Sequence, residues 1–119
     1  MVKTKLVNAS GHPLPLEHPF EVVLDLGTSN VDLADPAKVL AAATKIAEAA
    51  AQFVRDGALI ALPGMSILSA SVLAVLHGLL GHWPSVAYAA RIGGVFTWSK
   101  DFVIDLHELR TEARTLGRV

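Results

Sequence analysis

The sequence predicts one α/β domain over residues 1–119, with a mainly parallel sheet and helices on both of its faces. Segments of strand character alternate along the chain with segments of helical periodicity, which is the pattern of strand–helix–strand units. The run ALIALPG (58–64) is continuously apolar, as in a central strand covered on both faces. Right-handed crossovers between parallel strands would then place helices on both faces of the sheet.

Two strands and a proline-rich loop come first. Lys3 to Ala9 and EVVLDL (21–26) have the composition of strands. The loop between them holds three prolines, each of which excludes a helix: Pro13, Pro15 and Pro19.

The first helix has well-defined ends. Asp35 is a suitable N-cap, and Pro36 fits the first helical position because no N–H is required there. The helix extends to about Arg55, and Gly57 supplies the stop. Its apolar residues fall three and four apart and form one stripe: Val39, Ala43, Ile46, Ala47, Ala50, Phe53 and Val54.

A second helix follows the apolar strand and is apolar on nearly every side. Ser66 can cap this helix, which extends to about Leu80. A helix without a polar face is buried on two sides, so one side packs on the sheet and the other needs a second layer or a second subunit. We therefore expect a homodimer formed through the 67–80 helix.

The C-terminal part predicts a strand at SVAYAARI (85–92) and one or two short strands within residues 95–106. Asp105 and Glu108 then form the start of a capping box for a final helix, LHELRTEART (106–115).

Composition limits the classes of function. A formal net charge of −1 argues against a broad basic surface, so we expect no binding along a long nucleic acid. The chain has no Cys, which excludes disulfides and fits a cytoplasmic setting. Residues 1–11 have neither a long apolar run nor a plausible cleavage site, so we expect no secretory signal. The uncharged span 57–90 is interrupted by Pro63-Gly64 and by several serines and histidines, so we expect no membrane span.

Polar, glycine-containing loops follow two of the predicted strands. One is ASGHP (9–13), and the other is PGMS (63–66). In open α/β sheets, ligands bind at the carboxyl ends of the strands, where loops lead into helix N-termini. Backbone N–H groups after Ser66, together with nearby polar side chains, would suit a phosphate or a ribose without any Lys. The alternative is that both loops only turn the chain and that Ser66 is an ordinary cap.

Other motifs give negative or weaker signals. The chain has neither Gly-x-Gly-x-x-Gly nor Gly-x-x-x-x-Gly-Lys, and PGMSIL lacks the last glycine of a Gly-x-Ser-x-Gly elbow. The histidines do not have zinc-site spacing, so no metal is expected, but His12 can serve as an acid or base or as a turn residue. Arg110 and Arg114 share a helical face, where they can reach an acidic partner, pair with Glu112 or Glu108, or simply be solvated. Trp98 fits a core or interface position better than a platform for a base.

The order of these features resembles a family of small stand-alone proteins of type III CRISPR systems, each a Rossmann-like domain related to CARF domains. The resemblance rests on NASGHPL (8–14), LPGMSILSASVLAVLHGLLGHWP (62–84) and VIDLHELRTEAR (103–114). It implies a homodimer that binds a cyclic oligoadenylate second messenger, with the four-membered ring expected. No separate cofactor is implied.

The resemblance also implies a set of ligand-binding residues in the two loops. Two copies of these loops would face a ring that is itself two-fold symmetric. The ligand-binding residues are Asn8, Ser10, Gly11 and His12 on one side of the pocket and Gly64, Met65 and Ser66 at the phosphates.

Three functions remain open at this point. We expect the protein to sequester the messenger and so damp antiviral signalling. The first alternative is a metal-independent ring nuclease, in which a ribose 2′-hydroxyl attacks the adjacent phosphorus and leaves linear products with a 2′,3′-cyclic phosphate. Neither loop contains Lys or Arg, so His12, or Lys100 or Arg91 from a neighbouring loop, would have to stabilise the developing charge. The second alternative is a structural or interaction subunit that docks a larger partner through the 67–80 helix.

Overall fold

The computed structural model describes residues 3–27 and 30–117, which form five strands and three helices. The elements in chain order are β1 (Thr4–Asn8), β2 (Phe20–Asp25), α1 (Pro36–Arg55), β3 (Leu59–Ala61), α2 (Ser66–Leu80), β4 (Ser85–Ile92), β5 (Val95–Asp105) and α3 (Leu106–Gly117).

The strands form one sheet in the order β2-β1-β3-β4-β5. Strand β1 is parallel to β2 and to β3, and β3 is parallel to β4. In the part of the chain that the structure describes, the edge strand β5 alone is antiparallel to its neighbour. The prediction of an α/β domain with a mainly parallel sheet is therefore confirmed.

Helices α1 and α2 pack against each other and cover the same face of the sheet, which we call the first face. The first helix begins as predicted, since the Asp35 carboxylate accepts a hydrogen bond from the Ala37 N–H at 3.0 Å. The buried residues of this face come from both helices, from strands β1 and β3, and from the residue that adjoins each strand: Val7, Ala9, Val39, Ala43, Ile46, Ala47, Ala50, Ala51, Val54, Ala58, Ile60, Leu68, Val72 and Leu76.

The opposite face, the second face, carries neither α1 nor α2, so the prediction of helices on both faces is wrong for the strand-connecting helices. Right-handed crossovers that run in opposite directions along a sheet lie on opposite faces. Only the β1–β2 connection runs toward the β2 edge, and it is a loop (9–19) whose prolines prevent a helix. The second face instead carries a smaller cluster of buried residues, which is covered by three partly buried side chains. The buried residues are Leu6, Phe20, Leu59, Ala61 and Ala87, and the covering side chains are Leu14, Trp98 and Val103.

The β4–β5 hairpin reaches across this second face. Strand β4 pairs with β3 only at Ile60–Val86, and the β4–β5 register shifts between Ala87 and Ala89. Such an irregularity bends a hairpin. Beyond the bend, residues 88–102 form what we call the arm, and its Trp98 ring meets the Phe20 ring of β2 edge to face, with centroids 6.4 Å apart.

The third helix is placed differently from the other two. The Asp105 carboxylate accepts hydrogen bonds from the N–H groups of His107 and Glu108, as the predicted cap requires. Helix α3 nevertheless has no buried residue. Among the described residues, no helix has the length and hydropathy needed to cross a bilayer.

Candidate functional site

The two predicted loops come together at one end of the sheet. Strands β1 and β3 are neighbours, and the connections that leave them run in opposite directions. This makes the pair a topological switch point, where ligands bind in open α/β sheets. A cavity of about 170 Å³ lies at the carboxyl ends of both strands. It is lined by Ala9, Ser10, Gly11, His12, Pro63, Gly64 and Met65.

The buried Asn8 side chain fixes the first loop through hydrogen bonds. Its side chain is 1% exposed, and its Nδ2 donates to the His12 carbonyl at 2.8 Å. Its Oδ1 accepts from the N–H of Ser10 at 3.1 Å and from the Ser10 hydroxyl at 2.6 Å. Gly11 adopts φ +82°, a left-handed conformation that favours glycine. The amide therefore sets the shape of the loop, and Ser10 takes part in that internal network.

The second loop is held by α2, which follows it. The Ser69 hydroxyl donates to the Pro63 carbonyl, which ties the first turn of α2 to the loop. The N-cap residue of α2 is Met65, and it makes no side-chain capping bond. The prediction that Ser66 caps α2 is therefore wrong, because Ser66 is already the first helical residue and its side chain is exposed.

The cavity thus faces the start of a helix that lacks a capping side chain. The first N–H groups of a helix have no partner within the helix, and the helix dipole places positive potential at that end. These are the features that bind phosphate or carboxylate oxygens. The lining itself includes no Lys, Arg, Asp or Glu within the described part of the chain. Recognition of an anion here would depend on backbone N–H groups and on His12.

The predicted site residues divide into three groups in the structure. Those that line the cavity are Ser10, Gly11, His12, Gly64 and Met65. Asn8 lies beneath the first loop, and Ser66 lies outside the lining at the start of α2. Ala9 and Pro63 also line the cavity; both belong to the two predicted loops, but neither was predicted to bind the ligand. Both adjoin predicted residues, so their sequence position was the available signal.

The basic residues considered for cleavage do not line the cavity. Arg91 lies on the arm, with its guanidinium 4.8 Å from the centre of the Phe96 ring, and Lys100 lies in the irregular part of β5. His12 is the one titratable side chain among the lining residues. It is exposed, so its ring is accessible to a ligand from solvent.

The remaining candidates of the sequence lie elsewhere. Trp98 is half-buried and packs against the second-face cluster. Arg110 and Arg114 lie on an exposed face of α3 beside Thr111 and Thr115. Within residues 3–27 and 30–117, no group of three or more His, Cys, Asp or Glu side chains is placed to hold a metal ion.

No protein-family model, no curated protein and no solved structure gives a significant match to this chain.

Proposed function

We propose that this protein binds a cyclic oligoadenylate, the four-membered ring in particular, as a homodimer and sequesters it, which would damp type III CRISPR antiviral signalling. The observation that carries the proposal is the cavity at the switch point of β1 and β3, where the two loops named by the CARF-like resemblance lie together. A Rossmann-like, CARF-related domain and a cytoplasmic location belong to the same proposal.

The size of the cavity supports a shared site. Pockets that hold a drug-sized ligand usually measure about 300–1,000 Å³, and this one measures about 170 Å³. It can therefore take one phosphate and part of its ribose but not a whole ring. Two such cavities related by a two-fold axis would meet the symmetry of a cyclic tetranucleotide.

The outer face of α2 supports an interface next to the cavity. Helix α2 contains no Asp, Glu, Lys or Arg. Several of its residues are exposed, and these are small or apolar: Ile67, Ala70, Ala74, Gly78 and Leu79. Small residues let two helices approach closely, so pairing through α2 would bury this face and bring two cavities together.

The chemistry of the lining favours sequestration over cleavage. Transesterification of the ring develops charge on the phosphorane and on the leaving oxygen, which a cationic or protonated group must stabilise. The cavity offers His12 for that role and no Lys or Arg. A ring nuclease that uses His12 is therefore the second candidate, and an interaction subunit is the third.

A binding titration against cyclic tetra-adenylate separates these functions. We expect saturable binding at one ring per two chains, and chromatography of the bound fraction after several hours should return the intact ring. Linear products ending in a 2′,3′-cyclic phosphate would show a nuclease, and His12→Ala should then abolish turnover. Absence of binding to the four- and six-membered rings would overturn the proposal and favour the interaction subunit.

A matched pair of variants tests the cavity itself. A Cβ added at Gly64 meets no atom within 4 Å, so side chains are tolerated there. Gly64→Asp places a carboxylate in the cavity, and we expect about tenfold weaker binding because it opposes the phosphate at a helix N-terminus. Gly64→Asn has nearly the same size without the charge and should bind within a few-fold of the wild type. Equal affinity of both variants would place the ligand elsewhere.

A further inference from the structure

Helix α3 is attached to the rest of the molecule mainly at its first turn. The Leu106 N–H donates to the Pro84 carbonyl at 3.2 Å, and the Trp83 N–H donates to His107 Nδ1 at 3.4 Å. The helix has 12 residues, none of them buried. An isolated helix shorter than about 12–15 residues is marginal in water. A covering surface would therefore stabilise α3.

One face of α3 has the spacing of a helix-pairing seam. Leu106, Leu109, Ala113 and Leu116 follow one another at intervals of three and four residues. Leu109 is 52% exposed and Leu116 is 76% exposed. The opposite face is polar, with Glu108, Thr111 and Thr115 among its residues. The helix is thus amphipathic, and within residues 3–27 and 30–117 its apolar face is left largely uncovered.

We propose that α3 pairs in parallel with α3 of a second copy of this chain, about a two-fold axis. With Leu106 and Ala113 at a positions and Leu109 at a d position, Arg110 occupies an e position. Asp105, the last residue of β5 and the cap of α3, precedes the first a residue at the g position, and its carboxylate Oδ1 accepts the two capping hydrogen bonds. A parallel pair sets Asp105 of each copy beside Arg110 of the other, which gives two complementary charge contacts.

The reverse orientation is disfavoured by the same charges. An antiparallel pair sets g beside g and e beside e, so that with Leu106 packed on Leu116 of the other copy, Glu112 would face Glu112 and Arg110 would face Arg110. Like charges in contact destabilise a pairing. The charge pattern of α3 therefore selects both the occupant, a second copy, and its direction.

The contact would be weak and would leave the cavity open. Helix α3 is about 18 Å long, and two such helices bury less than the roughly 1,200 Å² of a standard interface. The helix starts near Pro84, at the C-terminal end of α2, whereas the cavity lies at the N-terminal end of α2. Pairing through α3 is thus independent of the proposed ligand and of pairing through α2.

Disulfide trapping can detect this contact because the chain has no Cys of its own. A disulfide requires Cα atoms within about 7 Å, which in a parallel pair holds for facing positions such as 109 and 109. After mild oxidation without nucleotide, we expect Leu109→Cys to give a disulfide-linked dimer on a non-reducing gel. Thr111→Cys, on the opposite face of α3, should give at least fivefold less. Equal yields from the two variants would overturn the proposal.

A second pair of changes, made in the Leu109→Cys chain, tests the parallel direction. Arg110→Glu would face Asp105 of the other copy and should lower the dimer yield about fivefold. Arg114→Glu makes the same charge change outside the seam and should leave the yield unchanged. Equal effects of the two reversals would overturn the parallel pairing. Since no nucleotide is present, failure of this test leaves the proposal of cyclic oligoadenylate binding standing.

Discussion

The two faces of the sheet are buried in different ways. On the first face, α1 and α2 pack on β1 and β3 and share one continuous cluster of buried residues. On the second face, five residues form the buried cluster, and partly exposed side chains of the 9–19 loop, the arm and the end of β5 close it. The first face is thus covered by whole helices and the second by a few side chains.

This difference predicts that substitutions on the two faces destabilise the protein in different ways. Loosening a helix that contributes to a continuous core unfolds the domain, whereas a cover made of single side chains can open locally. The cavity is supported from two sides: the Asn8 side chain of β1 bonds to the first loop, and the Ser69 hydroxyl of α2 bonds to the second. Substitutions on each side should therefore separate global stability from local opening.

Leu76→Ala should have the largest effect. The Leu76 side chain is fully buried among first-face residues, so its removal leaves a cavity and should lower the free energy of unfolding by about 3 kcal/mol. Urea unfolding followed by circular dichroism measures this change. Leu79→Ala on the same helix, where the side chain is 45% exposed, should cost less than about 1 kcal/mol. Similar losses for both would mean that α2 is not part of the main core.

Trp98→Ala should have the second largest effect on stability. The ring is half-buried and meets Phe20 edge to face, so we expect a loss of about 2 kcal/mol, below that of Leu76→Ala. The arm should also open without unfolding of the domain, seen as faster hydrogen exchange confined to residues 88–102. Phe96→Ala, 61% exposed on the same arm, is the control and should change little. A larger loss for Trp98→Ala than for Leu76→Ala would contradict the contrast between the faces.

The features that could be predicted from the sequence are those with local causes. Helix α1 is one, because Asp35 and Pro36 act within its first turn. The two loops of the cavity are another, since polar residues at strand ends mark that edge of a sheet. The start of α2 shows the limit of such reasoning: serine favours a cap, yet Ser66 lies one residue inside the helix.

The covering of the second face could not be predicted, because its contacts join distant parts of the chain. Strands β2 and β5 lie at opposite edges of the sheet, and Trp98 meets Phe20 because the bent arm crosses the second face. No local pattern gives that strand order. Likewise, alternation along β1 gives the face of Asn8 but not its bonds to Ser10 and His12.

Asn8→Ala should act mainly on the cavity. It removes a buried amide that bonds to the His12 carbonyl and to Ser10, and we expect a loss of about 1.5 kcal/mol in stability. Because the first loop loses its support, affinity for cyclic tetra-adenylate should fall as well, by about tenfold. Calorimetry and urea unfolding of the same preparation measure both quantities. Asn8→Asp keeps an acceptor for Ser10 but turns a buried carboxylate toward the His12 carbonyl and the Asp25 carboxylate, to which Asn8 Nδ2 donates at 2.8 Å and 3.5 Å, so it should destabilise the protein more than Asn8→Ala.

Ser69→Ala should have the smallest effect and decides whether the two sides of the cavity are equivalent. It removes one hydroxyl bond to the Pro63 carbonyl, so the expected loss of stability is about 0.5–1 kcal/mol. Since the backbone of α2 still fixes Met65 and the first turn, affinity should fall less than in Asn8→Ala. Ser71→Ala, whose hydroxyl bonds to the Ile67 carbonyl within the helix, is the control. If Ser69→Ala weakened binding as much as Asn8→Ala, the helix side of the cavity would depend on side-chain support as the strand side does. The difference between the two faces would then not extend to the cavity.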